Sequence, residues 1–301
     1  MRALCISVLL LTGVGAGLGT AAGGAARGTQ GNPIRIGLVG SMFRDVPGPM
    51  VQALMGPFRS LMVEQTGLTG ELVIGGDALG LARDLETNKV QLVVMHGVEF
   101  AWAKEKYPDL RPLVIAINRH RHLRANLVVR DDSTAADLAD LKGKALSLPL
   151  RTREHCHLFL DQQCRSAGVQ PADFFGQVVS HATVGAALDD VVRGKVQAVL
   201  VDGVSLESYG QVKSGCFARL KTIKQSPVFP AAVVAYHRGA LDEATLARFR
   251  DGMIRANQNP QSRDLMSTWG LSAFEPIPAD YERTLADIRK AFPAPQPTKA
   301  N

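Results

Sequence analysis

The chain has 301 residues, of which 46% are hydrophobic and 21% charged, a composition typical of one large globular domain or two lobes. Its net charge of +6, or +4 without Arg2 and Arg27, is too small for a nucleic-acid-binding surface, so we expect no nucleic-acid partner. Aromatic residues make up 6% of the chain, which argues against a stacking surface for single-stranded nucleic acid.

The first segment of the chain is typical of a secretory signal peptide. Arg2 precedes an apolar stretch, and small residues follow as far as Ala26. We therefore predict that residues 1–26 are a cleaved signal peptide and that the protein is periplasmic or otherwise exported. An uncleaved membrane anchor is the alternative, although glycines at positions 13, 15, 17 and 19 weaken a membrane-spanning helix.

Three cysteines remain after such a cleavage, namely Cys156, Cys164 and Cys216. An exported protein could oxidise one pair of them. Cys156 and Cys164 would share one helix at a separation of about 12 Å, which exceeds the Cα span that a disulfide tolerates. Any disulfide would therefore include Cys216, and either of the other two could be its partner.

Beyond residue 32, apolar runs typical of buried strands alternate with segments of helical periodicity. The predicted strands are 34–40, 71–76, 91–97, 110–118, 126–130, 145–149, 177–181, 196–203, 219–226 and 231–237. The predicted helices are 50–65, 78–88, 99–107, a segment that ends near 168, 184–193, 205–213, 242–258, 262–269 and 281–292. This alternation predicts parallel α/β sheets with crossover helices.

Two extended runs suggest that these sheets lie in two lobes. NLVVRDDS, at 126–133, could cross out of the first lobe, and SPVFPAAVVAYH, at 226–237, could cross back. We predict a first lobe from residues 32–125 and 231–292, a second lobe from residues 126–230, and a disordered tail at 293–301. A ligand would lie between the lobes, at the carboxyl ends of the strands.

The segments DLKGK (140–144), AGVQP (167–171) and VVRGKVQAVLVDG (191–203) follow one another in a characteristic order. In order and spacing the chain resembles the phosphonate/phosphate-type substrate-binding proteins of ABC importers. The resemblance implies a two-lobed α/β fold like that of type 2 periplasmic binding proteins, in which each lobe is a mostly parallel sheet flanked by helices and two strands form the hinge. It further implies a receptor, and not an enzyme, that captures a small anion such as a phosphate or phosphonate by hinge closure.

By the same resemblance, the receptor delivers its ligand to an ABC permease in the membrane. The family cradles its anion with a Ser-Thr-Ser-Gly turn at a helix N-terminus, where this chain has residues 153–156, and Thr152 is the only hydroxyl left there. Arg151 and Arg153 could bind an oxyanion in place of the hydroxyls, because a guanidinium binds phosphate or carboxylate with two hydrogen bonds. Glu154 would repel a dianion unless its side chain faces away.

Other polar residues follow predicted strands and are candidates for the same cleft. We predict that His96, His155 and His181 close the cleft over the ligand. Ser41 could donate a hydrogen bond to the ligand, and Asp202 could accept one from an amine or hydroxyl. For both Ser41 and Asp202 the alternative is an ordinary helix cap.

A transition-metal receptor is the main alternative, with His96, His155, Cys156 and His181 as the ligands of zinc or copper. A ligand-sensing module that contacts a membrane partner is a further one. The chain has no Gly-x-Ser-x-Gly nucleophile elbow, no Gly-rich phosphate loop and no dinucleotide-binding fingerprint. We therefore expect no enzymatic activity, no cofactor and a monomer.

Overall fold

The structure is a computed structural model and describes residues 33–295. The predicted signal peptide, residues 1–26, and most of the predicted tail, residues 296–301, lie outside the described residues. Between residues 33 and 295 no helix is both long enough and apolar enough to cross a membrane.

Strands and helices alternate along the described chain, as the apolar periodicity predicts. The strands are β1 (Ile34–Leu38), β2 (Gly70–Ile74), β3 (Leu92–Met95), β4 (Leu110–Ile117), β5 (His122–Leu123), β6 (Ala125–Arg130), β7 (Ala145–Ser147), β8 (Gln177–Val179), β9 (Ala198–Asp202), β10 (Leu220–Gln225), β11 (Phe229–Pro230), β12 (Ala232–His237) and β13 (Ala273–Glu275). The helices are α1 (Gly48–Thr66), α2 (Ala78–Glu86), α3 (Gly97–Lys106), α4 (Glu154–Ser166), α5 (Pro171–Phe174), α6 (Val184–Val192), α7 (Gly203–Val212), α8 (Ser214–Phe217), α9 (Glu243–Arg255), α10 (Pro260–Thr268) and α11 (Tyr281–Ala291). Short 3-10 turns cover Gly40–Phe43, Leu138–Leu141 and Ala256–Gln258.

The longer strands form two sheets, and both are mixed. The first has the order β13-β4-β12-β3-β1-β2, and the second has the order β10-β6-β9-β7-β8. In the first sheet β2, β1 and β3 are parallel, whereas β12, β4 and β13 add antiparallel pairs. In the second, β8, β7 and β9 are parallel and β6 and β10 are antiparallel neighbours. Each sheet therefore has a parallel core with antiparallel neighbours, and in both sheets most strands point in the same direction, as the sequence predicts.

A two-stranded ladder links the two sheets. Strand β5 pairs antiparallel with β11, with Leu123 opposite Phe229 and His122 opposite Pro230. The first sheet takes its strands from 34–117 and 232–275, and the second from 125–225. The predicted lobe boundaries, after residues 125 and 230, lie next to β5 and β11, and this arrangement supports our proposal of those boundaries.

Apolar side chains on both faces of each sheet build the core. All four residues of β3 are buried, which explains their uninterrupted apolar sequence LVVM. Helix α1 begins after Pro47 and ends at Gly67, whose φ of 65° is left-handed. This conformation favours glycine, and Gly67 caps the C-terminus of the helix.

The three cysteines of the described chain are free thiols. Cys156 and Cys164 are buried in α4, whereas Cys216 is partly exposed in α8. None of the candidate pairings with Cys216 is formed. Burial raises the pKa of the Cys156 thiol well above its ordinary value, so this cysteine remains protonated near neutral pH.

Candidate functional site

Four turns bring polar side chains to the region where the two sheets meet. In the first sheet these turns follow β1 and β3, and in the second they follow β7 and β9. In each sheet the two strands belong to the parallel group, so their carboxyl ends lie at one edge. Contacts between the turns of one sheet and those of the other define the candidate site.

An ion pair between Arg44 and Glu154 bridges the two halves of the molecule. Arg44 follows the turn after β1, and its Nε and Nη2 atoms donate hydrogen bonds of 2.7 and 2.8 Å to Glu154 Oε2 and Oε1. Glu154 is the first residue of α4, and its side chain is 7% exposed, compared with 46% for that of Arg44. Two parallel hydrogen bonds of this kind fix the orientation of both groups. The carboxylate hydrogen bond and charge raise the pKa of Arg44.

A second cluster lies beside this pair at the N-terminus of α3. Ser41 Oγ donates a 2.7 Å hydrogen bond to Glu99 Oε1, and the main-chain N–H of His96 donates a 3.2 Å bond to Glu99 Oε2. Burial raises the pKa of Glu99 to about 7. The carboxyl group of Glu99 thus changes charge near neutral pH.

Two imidazoles from opposite sheets line the same region. The Nε2 atoms of His96 and His155 are shielded from solvent and have no hydrogen-bond partner among residues 33–295. Burial lowers the pKa of His96 to about 4, and the charge of His155 lowers it further, while that of Glu154 opposes both effects. Burial also lowers the pKa of His155, against the charge of Asp202. Both rings are therefore neutral at pH 7, and each has one free polar atom.

Two of the other predicted site residues, His181 and Asp202, already have partners inside the second half of the molecule. His181 Nδ1 lies 2.7 Å from Ser147 Oγ, and its Nε2 lies 3.1 Å from Asp190 Oδ2. Asp202 caps α7 by accepting hydrogen bonds from the main-chain N–H and the hydroxyl of Ser205. For Asp202 the structure shows the helix cap that the sequence left as an alternative.

The arginines of the predicted anion turn lie at the protein surface. Arg151 and Arg153 are both exposed, and Arg151 Nη2 lies 3.2 Å from Met50 Sδ of the first half. The hydroxyl of Thr152 donates to the carbonyl of Pro149. The charge of Arg153 still reaches the buried imidazoles, because it contributes to the lowered pKa values of His96 and His155.

The structure does not support the metal-receptor alternative. Among residues 33–295, no group of three or more histidine, cysteine, aspartate or glutamate side chains is arranged to hold a metal ion. His181 is held by Ser147 and Asp190, and Cys156 is a buried, protonated thiol. One of the four candidate metal ligands, His181, is therefore already engaged by two other side chains.

Two open cavities lie outside this polar cluster. One, of about 490 Å³, is lined by the loop after β4 and by the starts of α6 and α7. The other, of about 530 Å³, lies between α11 and the segment before β11, next to His122 of β5. Neither cavity is lined by Arg44, His96, Glu154 or His155.

Sequence reasoning missed Arg44 altogether and considered Glu154 only as a repelling charge. Arg44 stands alone in a turn, with no spacing motif around it, and its partner lies 110 positions further along the chain. The available signal was its position shortly after the carboxyl end of a buried strand, where α/β proteins place ligand-binding residues.

The buried titratable groups predict opposite pH effects on stability. A histidine whose pKa is lowered on folding stabilises the protein fully above its ordinary pKa of 6.5, and this contribution is lost as the pH falls toward 4. Glu99 has a raised pKa, so its contribution is complete below 4.5 and is lost as the pH rises through about 7. Near pH 5.5, unfolding of the native protein therefore takes up a proton at His96 and releases one at Glu99.

We expect His96→Gln to lower the slope of unfolding free energy against pH, near pH 5.5, by about 1.4 kcal/mol per pH unit, the value of one proton. Glu99→Gln should raise the same slope by a similar amount. Urea titrations at half-unit pH steps measure both slopes. Equal slopes in all three proteins, or changes of the same sign in the two variants, would contradict the burial of these groups.

The sequence and the fold are similar to those of known receptors. A family model described as "ABC transporter, phosphonate, periplasmic substrate-binding protein" matches residues 47–281. No curated protein sequence matches the chain. The solved structure of XAC2383 from Xanthomonas citri bound to ATP is similar with a TM-score of 0.58 and 16% identity, over 87% of this chain and 97% of that chain.

Two further solved structures carry the word phosphonate in their descriptions. PhnD1 from Prochlorococcus marinus in complex with methylphosphonate has a TM-score of 0.56 and 11% identity, over 86% of this chain and 97% of that chain. A binding protein component of an ABC phosphonate transporter from Pseudomonas aeruginosa has a TM-score of 0.53 and 16% identity, over 89% of this chain and 91% of that chain.

At these identities the structural similarities establish the fold, and the predicted two-lobed periplasmic-binding-protein architecture is confirmed. The family model covers most of the chain and spans strands and helices of both sheets. The chain therefore belongs to the phosphonate family of periplasmic substrate-binding proteins of ABC transporters.

Proposed function

We propose that this protein captures a small oxyanion, such as a phosphonate, phosphate or sulfonate, between its two lobes and delivers it to a membrane permease. The observation that carries the proposal is the polar cluster at the junction of the two sheets, where the half-exposed Arg44 guanidinium meets the buried Glu154 carboxylate beside His96 and His155. A ligand held at this junction contacts both lobes at once, as hinge closure requires.

The guanidinium of Arg44 is the group best suited to recognise the anion. It presents two parallel donors at the junction and already holds a carboxylate in that geometry. The N-terminus of the 13-residue helix α4 lies at the same point and favours negative charge. The PhnD1 structure in complex with methylphosphonate supports a phosphonate as the first ligand to test.

In this proposal the two exposed arginines of the anion turn act at the entrance to the ligand site. Arg151 and Arg153 attract the anion from solvent, and the closed lobes then place it against the buried groups. Thr152, Ser41, His181 and Asp202 position the surrounding turns through their own hydrogen bonds.

Capture and release require no chemical step, so we propose a monomeric receptor without catalytic activity. Membership of a transport family supports this role, because such receptors pass an unchanged ligand to their permease.

A thermal-shift panel on the purified protein tests the proposal. Methylphosphonate, phosphate, methanesulfonate and acetate are each compared with zinc and copper salts, with chelator controls. A ligand present at a hundredfold excess over its Kd should add about 2.7 kcal/mol to stability. We expect a shift with at least one oxyanion, and its loss in Arg44→Ala when each protein is compared with its own unliganded state.

Arg151→Ala provides the matched control, because Arg151 is an exposed arginine close to the same junction. It should reduce the shift far less than Arg44→Ala does. A shift produced only by a metal would refute the oxyanion proposal, and an oxyanion shift that survives the loss of Arg44 would refute Arg44 as the group that recognises the anion.

A further inference from the structure

The ion pair at the lobe junction has an unusual consequence for ligand binding. Glu154 Oε1 and Oε2 accept both hydrogen bonds that the Arg44 guanidinium directs across the junction, at 2.8 and 2.7 Å. The carboxylate comes from the second half of the molecule and the guanidinium from the first. The group that would bind an incoming oxyanion is therefore occupied by an anion of the protein itself.

Glu154 also occupies the other favourable position for an anion at this junction. It is the first residue of α4, where the unpaired N–H groups and the helix dipole favour negative charge. Its side chain is 7% exposed, so the carboxylate has left water and depends on these partners. A free oxyanion would need the same guanidinium and the same helix end.

Two neighbouring groups indicate that the junction is built for a ligand in addition to the internal ion pair. His155 follows Glu154, is 6% exposed, and has a shielded Nε2 atom without a partner within residues 33–295. His96, from the other half, likewise has an unpartnered Nε2 atom. A buried polar atom without a partner costs free energy, and a ligand would provide the missing hydrogen bonds.

We propose that Glu154 is an internal competitor, so that an oxyanion binds only by displacing the Glu154 carboxylate from Arg44. This inference rests on the proposed function and adds how the same site is regulated. Competition with Glu154 lowers the affinity for every oxyanion and makes the receptor selective. An anion that contacts Arg44 alone does not displace Glu154, whereas a ligand that also forms hydrogen bonds with His96 and His155 does. The apparent Kd of every oxyanion equals its intrinsic Kd divided by the fraction of molecules in which Arg44 is free of Glu154.

Isothermal titration calorimetry on Glu154→Gln tests the competition. The amide has the shape of the carboxylate but no charge, so it is a weaker partner for a guanidinium. With methylphosphonate, phosphate and methanesulfonate as probes, we expect affinity at least about tenfold above wild type, which corresponds to 90% occupancy of Arg44 by Glu154. Glu154→Ser is a second variant and should show a gain of the same sign.

Two controls separate competition from a general change of charge. Glu207→Gln removes one negative charge from an exposed carboxylate that is hydrogen-bonded to His120, and it should leave the oxyanion affinity within about twofold of wild type because exposed charges are screened. Arg44→Ala combined with Glu154→Gln should lose the gain, since the contested guanidinium is absent.

The affinities of these variants test the competition and the proposed function separately. Oxyanion affinity in folded Glu154→Gln and Glu154→Ser that is equal to or below that of wild type would overturn the inference, whereas the proposed function would still stand if wild type binds an oxyanion. A gain that survives the loss of Arg44, or one matched by Glu207→Gln, would also overturn it. The absence of oxyanion binding in wild type and both variants would overturn the inference and the proposed function together.

Discussion

Replacing Phe229 by alanine should lower the free energy of unfolding by about 3–5 kcal/mol, the range for removing a phenyl ring from a core. Phe229 lies in β11, at the return crossing between the sheets, and is 1% exposed. Its ring centroid is 4.6 Å from that of Phe292 and 5.6 Å from that of His155. The variant would leave a cavity next to the hinge ladder that the surrounding elements cannot fill without moving the crossing.

Urea unfolding at pH 7 measures this loss, and the chain offers two matched controls. Phe217→Ala removes the same ring from a side chain that is 40% exposed, and we expect a cost below about 1 kcal/mol. Phe229→Leu keeps an apolar group in the site and should cost less than alanine does. Equal losses in the two alanine variants would show that Phe229 is not part of the packed core.

Periodicity in the sequence was sufficient to predict the longer elements. Residues 184–193 were predicted as a helix and form Val184–Val192, because the apolar residues recur on one face. Residues 34–40 were predicted as a strand and form Ile34–Leu38. Strand β13 was missed, since three residues are too few to show a period and its position depends on pairing with β4.

Strand direction could not be obtained from local patterns. Strand β12 has the same apolar character as a parallel strand, yet it runs antiparallel between β3 and β4. The direction of β12 follows from the return crossing at β11. At this crossing the chain leaves the second sheet and enters the first. Such a constraint involves residues more than a hundred positions apart and leaves no signal within β12 itself.

The candidate site was predicted in outline, and its central contact was not. The turns that carry His96 and His155 were identified correctly as lying at strand-to-helix junctions. The pairing of Arg44 with Glu154 depends on how the two halves face each other, which no spacing rule encodes. For this reason the sequence pointed to Arg151 and Arg153, which lie beside the anion turn, and not to Arg44, which reaches the turn from the other half of the molecule.

Replacing Gly97 by alanine should destabilise the protein by about 2 kcal/mol, within the range for forcing an extra carbon into a packed interior. Gly97 begins α3 directly after His96, and a Cβ atom there would lie 2.5 Å from the carbonyl oxygen of Ala231 and 2.6 Å from that of Pro230. Both contacts are to main chain at the return crossing, so either α3 or the crossing must move. We therefore also expect weaker ligand binding, because His96 and Glu99 move with the start of α3.

The opposite result is expected at Gly215, which provides the matched control. Gly215 lies inside α8, is exposed, and a Cβ atom added there meets nothing within 4 Å beyond its own chain neighbours. Gly215→Ala should stabilise the protein by up to about 1 kcal/mol, the difference in helix propensity between the two residues. Urea unfolding of the two variants gives shifts of opposite sign if α3 approaches the crossing as closely as described. If Gly97→Ala instead unfolds at the same urea concentration as wild type, space for a methyl group exists there and the close approach of α3 to the hinge is refuted.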